Sequence, residues 1–279
     1  MQLAICLYSG TRRVVVRDGE TTALVCPQET PDPIDLVGDG AALSRAREGA
    51  AERVPIADLT FLPPVASPEK ILCVGLNYAA HAQESARAQS PYPSLFARFP
   101  SSQVGHGQPI VAPAISHQFD YEGELAVIIG KPAWRVSQAD AMDHVAGYSC
   151  FAENSVRDFQ KHARQITAGK NFTSSGAFGP WLSSADSVGD LSTLTLTTRL
   201  NGMDMQHAML GSMIFSVPEL IAYISQFTQL VPGDVIATGT PAGVGASRNP
   251  PVWMKPGDTL EVEIEGIGCL TNPVVAEGG

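Results

Sequence analysis

Short apolar runs, separated by Gly, Pro and polar residues, recur along the chain and predict more strand than helix. The clearest run, ELAVIIG at 124–130, predicts a buried strand. Residues 259–264 alternate apolar side chains with glutamates, at the period of two of a strand with one wet face. Because strands and helices do not alternate strictly, the pattern predicts a mixed, β-rich α+β fold. Helical spacing is confined to short segments at about 77–88, 137–144, 155–162 and 216–227.

Two domains are predicted, with their boundary in the Pro-rich stretch 62–68. Residues 1–67 have the pattern of a small N-terminal β-rich domain. Within it, Asp18-Gly19 marks a hairpin between two of three strand candidates. Residues 68–279 form the larger unit, which carries the polar clusters that adjoin apolar strands.

Composition and charge narrow the class of protein. Hydrophobic residues make up 44% of the 279 residues and charged residues 16%, so a sizeable core is expected. Acidic residues outnumber basic ones by 28 to 18, which gives a net charge of −10, and no Lys/Arg run occurs. This balance argues against a nucleic acid or an anionic membrane as partner. An anionic substrate is still compatible, because a bound metal and a few local cations reverse the field in a pocket.

The cysteines and the N-terminal segment favour a cytoplasmic protein. The five cysteines are odd in number and widely spaced, so neither a disulfide framework nor a zinc knuckle is expected. Cys73 and Cys150 lie in apolar runs and are expected to be small core residues. The first residues lack the basic region of a signal peptide, and no run approaches the roughly 18 apolar residues of a membrane span.

Two acidic motifs adjoin apolar strands. Glu122 and Glu124 are two residues apart, so that on a strand they share one face. Carboxylates this close repel each other unless a cation lies between them, and hard oxygen ligands suit Mg²⁺, Mn²⁺ or Ca²⁺. Glu153 follows the next apolar run, at a strand end from which it would point into a pocket. The alternatives are solvated acids at a strand end and, for the second motif, helix capping by Asn154 or Ser155.

A His–Glu pair and a Gly-rich turn carry further chemistry. His81 and Glu84 are i and i+3 on a predicted helix, where the carboxylate would fix the imidazole tautomer of a general base. The alternative is a surface pair of little consequence. The turn 238–245 (TGTPAGVG) leaves a strand and would bring backbone N–H groups and Thr hydroxyls near a ligand carboxylate, unless it is a loop only. It lacks the Walker Lys-Ser/Thr and the Rossmann glycine spacing.

These motifs, in this order, resemble those of the fumarylacetoacetate hydrolase family. The resemblance covers roughly residues 70–275 and includes an NYxxHxxE signature at 77–84. The first domain is similar, with weaker motifs, to the short N-terminal domain of many bacterial members. The matching segments are DYEGELAVIIG (120–130), GYSCFAENSVRDFQ (147–160), GKNF (169–172), TGTPAGVG (238–245) and KPGDTLEVEIEGIGCLTNP (255–273).

The resemblance implies a β-roll catalytic domain, usually assembled as a homodimer, with one Mg²⁺ or Mn²⁺ ion. Glu122, Glu124 and Glu153 match the metal ligands of the family. His81 and Glu84 match its water-activating pair. The other matching residues are Lys170 and Gln160, with catalytic roles, and Thr240, which would bind the carboxylate of the substrate. Gly239, Tyr121 and Arg98 are also predicted to bind substrate.

Two departures from the family pattern affect the predicted site. Many members have Asn-Asp where this chain has Ala152-Glu153, so the third ligand is one methylene longer here. Arg98 occupies a position where Lys is frequent, and it either offers a bidentate fork to a carboxylate or has a structural role. Arg157 matches a frequent arginine whose role the sequence leaves open.

The favoured activity is hydrolysis of a C–C bond in an acylpyruvate, such as fumarylpyruvate or maleylpyruvate, in the catabolism of aromatic compounds. The products would be pyruvate and a carboxylic acid. A decarboxylase or an isomerase/hydratase of 2-oxo acids on the same scaffold is the alternative, since such reactions need no attacking water. A catalytically silent metal-binding protein is less favoured, because it would not need the pair of His81 and Glu84. Residues 82–93, polar and rich in small side chains, are predicted to form a lid.

Overall fold

The computed structural model of the chain describes residues 1–50, 52–85 and 90–278. Strands predominate in this part of the chain. The strands are β1 (Gln2–Tyr8), β2 (Thr11–Arg17), β3 (Thr22–Val25), β4 (Glu52–Pro55), β5 (Thr60–Leu62), β6 (Ile71–Gly75), β7 (Ser94–Arg98), β8 (Gln103–Val104), β9 (Ile110–Ala112), β10 (Phe119–Asp120), β11 (Gly123–Ile129), β12 (Val145–Ala152), β13 (Ser155–Val156), β14 (Gly176–Ser184), β15 (Thr195–Leu200), β16 (Met203–Met209), β17 (Val235–Ala237), β18 (Thr259–Ile264) and β19 (Gly268–Ala276).

The helices are short and lie between these strands. The α-helices are α1 (Pro33–Leu36), α2 (Gly40–Glu48), α3 (Ala79–Glu84), α4 (Arg157–Gln160), α5 (Thr167–Lys170) and α6 (Val217–Ile224). Single 3-10 turns are formed by Ile56–Asp58, Pro100–Ser102, Ala141–His144, Ala185–Ser187, Leu191–Thr193, Leu210–Ser212 and Gly245–Ser247. The β-rich α+β fold predicted from the sequence is confirmed.

One large mixed sheet forms the frame of the molecule. Its strand order is β4-β3-β2-β1-β14-β12-β11-β17-β6-β7, with β5 paired to β1 and β8 paired to β14. β11 lies in the middle of the sheet, antiparallel to β12 on one side and to β17 on the other. Every residue of β11 is buried, which explains why residues 125–129 are continuously apolar rather than alternating.

Both faces of the large sheet are covered. On one face, Leu125 and Val127 of β11 belong to the same core cluster as Leu260 and Val262 of β18. β18 is part of a separate five-stranded sheet with the order β16-β15-β18-β19-β9. On the opposite face, Ile128 belongs to a second core cluster with side chains of β6 and β17. The central strands are therefore fixed from two sides.

The N-terminal strands extend the large sheet. β1 pairs antiparallel with β14, where Gln2 lies opposite Ser183. Trp181 of β14 packs edge-on against Phe61 of β5, with 5.1 Å between the ring centroids. The hairpin at Asp18 joins β2 to β3 as predicted. The division of the chain at residue 67 stays a prediction.

Most local elements agree with the sequence pattern, with two exceptions. At the predicted helix 155–162, Ser155–Val156 is strand β13 and only Arg157–Gln160 is helical. The strand 259–264 has the predicted bounds, and its apolar side chains are buried. α6 begins at Val217, after a capping box of Ser216 and Glu219. The predicted helix at 137–144 is wrong. Ser137 and Asp140 bond to each other, as Ser137 Oγ donates to Asp140 Oδ2 at 2.7 Å and accepts the N–H of Asp140 at 3.3 Å, but only one 3-10 turn follows before β12 begins at Val145.

The predicted helix 77–88 is partly described. α3 spans its middle, from Ala79 to Glu84. Residues 86–89 lie outside the described residues; all four belong to the predicted lid 82–93, and 86–88 also belong to this predicted helix. Just beyond them, the ring of Tyr92 stacks on Tyr223 of α6 at 6.0 Å between centroids. The lid stays a prediction.

Two expectations drawn from composition have structural counterparts. Cys73 and Cys150 are buried, as expected for core residues, and none of the five cysteines is paired. In the described ranges, no helix is both long and apolar enough to cross a membrane.

Three strand ends meet at one edge of the large sheet. β6 runs parallel to β17, and both β12 and β17 run antiparallel to β11. The carboxyl ends of β6, β12 and β17 therefore lie at the same edge as the amino end of β11. α3, the turn after β17 and α4 all leave the sheet at this edge. The polar motifs that follow these strands in the sequence are thereby brought together.

Candidate active site

Three glutamates form the centre of the site and are called the glutamate trio: Glu122, Glu124 and Glu153. The first two adjoin the amino end of β11, and the third follows β12. The backbone N–H of Glu153 donates to the carbonyl of Glu122 at 2.8 Å, which holds the two motifs in register. All three side chains are buried, and one carboxylate oxygen from each lies within 4.8 Å of the others. The structure thus brings together the three predicted metal ligands.

Buried cations contact two members of the trio. Lys170 Nζ donates to Glu122 Oε2 at 2.9 Å and also to Glu153 Oε2. Arg157 Nη2 lies 2.6 Å from Glu122 Oε1. Glu124 accepts a backbone N–H at 2.8 Å, but it forms no ion pair with any residue in the described ranges. Negative charge in the trio is therefore only partly compensated.

The pKa values of the trio reflect this imbalance. Burial and the neighbouring carboxylates raise the pKa of Glu124 well above its ordinary value. Burial also raises the pKa of Glu153, to about 7. At Glu122, burial is outweighed by Arg157 and Lys170, so that its pKa lies below the ordinary value. A divalent cation would relieve the repulsion, and carboxylate oxygens are hard ligands that suit Mg²⁺ or Mn²⁺. The donor set fits such an ion.

His81 and Glu84 form a fixed pair on α3. The Nδ1 atom of His81 lies 2.7 Å from Glu84 Oε1. The backbone N–H of Gly243 donates to both oxygens of Glu84, at 3.2 and 3.0 Å. Because an ionised carboxylate only accepts, Nδ1 carries the proton in this arrangement and Nε2 keeps its lone pair. The pair therefore presents a general base.

The turn after β17 holds α3 in place. Asn77 Nδ2 donates to the carbonyl of Thr238 at 2.8 Å, which ties the start of α3 to the end of β17. Gly243 has a φ of 104°, and a Cβ at this position would collide with the carbonyl oxygen of Met205. Only glycine fits, so the N–H group that anchors Glu84 is set by the backbone.

α4 and α5 pack closely enough to bring their polar side chains together. A Cβ on Gly169 would lie 2.6 Å from the backbone nitrogen of Gln160, so this approach requires glycine and places Lys170 beside α4. Arg157 Nη1 donates to Gln160 Oε1 at 3.1 Å, which leaves the amide N–H groups of Gln160 available. Asp120 accepts from Arg157 Nε at 2.7 Å and from two N–H groups of the turn after β17, at 2.7 and 3.0 Å.

A cavity of about 330 Å³ opens onto these groups. Arg157, the first residue of α4, and Lys161, the residue after its end, line it as well. Another cavity, of about 490 Å³, lies beside the start of α6 and contains none of the predicted site residues. The predicted site residues that line the 330 Å³ cavity are His81, Glu84, Glu122, Glu124, Glu153, Gln160, Lys170 and Thr240.

Three residues predicted to bind substrate do not line this cavity, and their role stays a prediction. Arg98 is buried and donates to Glu153 Oε1 at 2.8 Å. The hydroxyl of Tyr121 donates to the carbonyl of Gly243 at 3.1 Å. The N–H of Gly239 donates to the carboxylate of the second glutamate of the trio at 2.8 Å. Each supports a residue of the site because its polar atoms are already bonded to protein.

Two residues of the candidate active site, Gln206 and Lys161, were not predicted from the sequence. Gln206, from β16, accepts from the N–H of Gly123 at 2.9 Å and donates to Thr240 Oγ1 at 2.8 Å. No local pattern around it predicts this position, because β16 belongs to the other sheet. Lys161 had a detectable signal, since it follows Arg157 by four residues and shares its helix face.

The matches to known proteins agree with this geometry. The family model described as fumarylacetoacetate (FAA) hydrolase, C-terminal, matches residues 70–275. The chain belongs to the fumarylacetoacetate hydrolase family. This confirms the resemblance seen in the motifs, and the family is one of enzymes.

Relatives within the fumarylacetoacetate hydrolase family differ in their named reactions. A mitochondrial oxaloacetate tautomerase of Bos taurus is 42% identical over 240 residues, which are 84% of this chain and 76% of the relative. A fumarylacetoacetate hydrolase from psychrophilic Exiguobacterium antarcticum superposes with a TM-score of 0.88 at 34% identity, over 99% of this chain and 100% of that one. A 2-hydroxyhepta-2,4-diene-1,7-dioate isomerase from Mycobacterium marinum has a TM-score of 0.82 at 33% identity, over 100% of both chains.

Proposed function

We propose that this family member interconverts the keto and enol forms of a small 2-oxo dicarboxylate such as oxaloacetate. One observation supports the proposal above others. The glutamate trio and a histidine base, His81, open onto the same small cavity. A 2-oxo acid bound with its acid end at the trio would present the adjacent carbon to this base.

Two relatives support a proton-transfer reaction of this kind. The Bos taurus protein is named an oxaloacetate tautomerase. The Mycobacterium marinum isomerase is named for a 2-hydroxy-2,4-diene dioate, which is the enol of a 2-oxo acid. Both reactions move a proton between a carbon and an oxygen close to a carboxylate.

The metal-binding part of the proposal rests on the trio. The three carboxylates of Glu122, Glu124 and Glu153 would hold Mg²⁺ or Mn²⁺, which when bound supplies Lewis-acid polarisation of a 2-oxo group. The acid end of the substrate would thus be fixed at the inner end of the cavity.

Four further side chains would take part in the proton transfer, either by moving the proton or by stabilising charge on the substrate oxygen. His81 Nε2 would take the proton from the carbon next to the 2-oxo group and return it to the 2-oxo oxygen, which gives the enol, and the enol-to-keto direction reverses these two transfers. Glu84 keeps the imidazole in the correct tautomer. Burial lowers the pKa of Lys170, but its carboxylate partners outweigh burial and raise this pKa above the ordinary value. Lys170 is therefore an ammonium group at neutral pH. It would donate hydrogen bonds to the developing oxygen charge, as would the amide of Gln160.

A second candidate is the acylpyruvate hydrolysis predicted from the sequence. The observation that favours it is the same pair of His81 and Glu84, because a base of this geometry also deprotonates water. The Exiguobacterium antarcticum relative is named a hydrolase. The two candidates differ in the group that His81 deprotonates, a carbon acid or a water molecule.

One comparison separates the two candidates. Metal-loaded protein would be assayed for enol-to-keto conversion of oxaloacetate by ultraviolet absorbance, above the rate with metal alone, and for pyruvate release from fumarylpyruvate. We expect fast tautomerisation and little pyruvate. His81→Ala should slow tautomerisation by at least about 10²-fold, the scale for loss of a general base. Pyruvate release without tautomerisation would replace the first candidate by the second.

The control for this experiment is His117→Ala. His117 is exposed and does not line the 330 Å³ cavity, so its loss should change neither reaction. Binding of Mn²⁺ should be unchanged in both variants, because neither histidine belongs to the trio. Tautomerisation that survives His81→Ala would remove this residue from the role of base.

A further inference from the structure

α4 presents a row of polar side chains along the wall of the active-site cavity. Arg157, Gln160 and Lys161 are at i, i+3 and i+4, so they share one face of the helix and its continuation. All three line the cavity. Arg157 is buried at the inner end, and Lys161 is exposed at the mouth. The row therefore runs from the glutamate trio to solvent.

The cations of this wall differ in what they contact. Arg157 is bonded to Asp120 and Glu122, and Lys170 is bonded to two glutamates of the trio. Lys161 forms no side-chain hydrogen bond and no ion pair with any residue in the described ranges. Around the mouth, the wall is completed by small neutral residues, among them Ser247. Lys161 is thus the cation on the described wall that has no protein partner.

We propose that Lys161 binds the second carboxylate of the substrate and so selects 2-oxo dicarboxylates over 2-oxo monocarboxylates. The inference rests on the proposed function for the direction of the substrate, whose 2-oxo acid end lies at the trio. The other end then points along α4 to the mouth. An ammonium group on a flexible stem meets a carboxylate there without a fixed geometry. Because the pair is exposed, its contribution to affinity is modest and sensitive to salt.

Matched pairs of ligands test this subsite. Binding to the Mg²⁺-loaded protein would be measured by calorimetry for 2-oxoglutarate against 2-oxopentanoate, and for oxaloacetate against 2-oxobutanoate. Each pair differs in the distal carboxylate. We expect the wild type to bind a dicarboxylate about 5-fold more tightly than its partner, and Lys161→Met to lose this preference. Lys161→Arg should keep the preference, and added salt should reduce it in the wild type.

Lys131→Met is the matched control. Lys131 is exposed and lies away from the cavity, so the same change of charge should leave the preference intact. The proposal would be overturned if Lys161→Met preferred dicarboxylates as strongly as the wild type does. It would also be overturned if the wild type showed no preference, or bound neither acid of a pair. A wild type that prefers dicarboxylates through Lys161 but does not tautomerise oxaloacetate would refute the proposed reaction and support the subsite.

Discussion

At the scale of single residues, the two departures from the family pattern prove to be partners. Glu153 is one methylene longer than the aspartate found in many members, and Arg98 stands where lysine is frequent. Arg98 Nη1 donates to Glu153 Oε1 at 2.8 Å and to the carbonyl of Asn154 at 2.9 Å. Its Nη2 donates to Ser175 Oγ at 3.0 Å. One guanidinium nitrogen thus bonds to the longer carboxylate, while bonds to Asn154 and Ser175 fix the plane of the group, an arrangement that the point charge of a lysine does not reproduce.

We predict that Arg98 and Glu153 act as a coupled pair in metal binding. Arg98→Lys and Glu153→Asp should each weaken Mn²⁺ binding, because each breaks the fixed contact. The double variant should lose less than the sum of the two losses, with a coupling energy of about 0.5–3 kcal/mol. Calorimetric titration of the four proteins with Mn²⁺ measures this cycle. Arg135→Lys, a change at an exposed arginine, serves as control and should be additive with Glu153→Asp.

At the scale of elements, the position of Lys170 depends on how closely α5 approaches α4. The contact requires a residue without a side chain at Gly169, because the backbone of Gln160 fills the space of a Cβ. α5 is a single turn and has little stability of its own. The close packing of these two helices is therefore what fixes the ammonium group between two carboxylates.

Gly169→Ala should separate the two helices. The added methyl group would push α5 outward, with an overpacking cost of about 1–3 kcal/mol in the free energy of unfolding. Displacement of Lys170 should slow oxaloacetate tautomerisation on the order of 10²-fold, as for other misplaced catalytic groups. Chemical denaturation and the tautomerase assay give the two readouts. Gly40→Ala in α2, where no atom lies within 4 Å of the new Cβ, should change neither; normal activity in Gly169→Ala would refute the requirement.

Elements are also the scale at which the sequence predicts position best. Eight predicted site residues line the cavity, and most of their motifs adjoin strand ends that are neighbours at one sheet edge. Tyr121 does not line the cavity, for a reason that is not local in sequence. Whether its hydroxyl meets substrate or Gly243 depends on a turn more than a hundred residues away in sequence, and no local pattern encodes that distance. Gln206 was missed for the same reason.

At the scale of the whole molecule, His106 connects parts of the chain that are distant in sequence. Its ring packs edge-on against Phe61 of β5 at 5.3 Å, and its Nδ1 accepts the backbone N–H of Thr271 of β19 at 3.0 Å. Burial lowers the pKa of His106 below its ordinary value of 6.5. If Nδ1 were protonated, its N–H would face the backbone N–H of Thr271, and two donors cannot form a hydrogen bond with each other. The contact between the N-terminal strands and the last strand therefore requires a neutral imidazole.

This requirement predicts how stability depends on pH. Because the pKa of His106 is lower in the folded protein, the unfolded chain takes up a proton first as the pH falls. The contribution of His106 to stability is therefore complete above pH 6.5 and is lost progressively below it. His106→Asn, which keeps an acceptor but does not titrate, should flatten the dependence between pH 5 and about 7. Denaturation of both proteins across this range measures the difference, and equal slopes would exclude the effect.

The predicted homodimer stays a prediction at this scale. Light scattering of the full chain gives its mass in solution directly. A result of one chain per particle would show that the site described here is complete within a single subunit.

The place of β17 in the sheet sets the order in which the site is built during synthesis. β17 lies between β11 and β6, yet it follows both by more than a hundred residues. Asn77, which precedes α3, can form its hydrogen bond only after Thr238, 161 residues later, has been synthesised. At about 5–20 residues per second, roughly 8–32 s pass on the ribosome before these two residues have both been made. In the nascent chain, the segment with His81 and the segments with the three glutamates are therefore not yet held together by β17. The active site can be completed only near the end of translation.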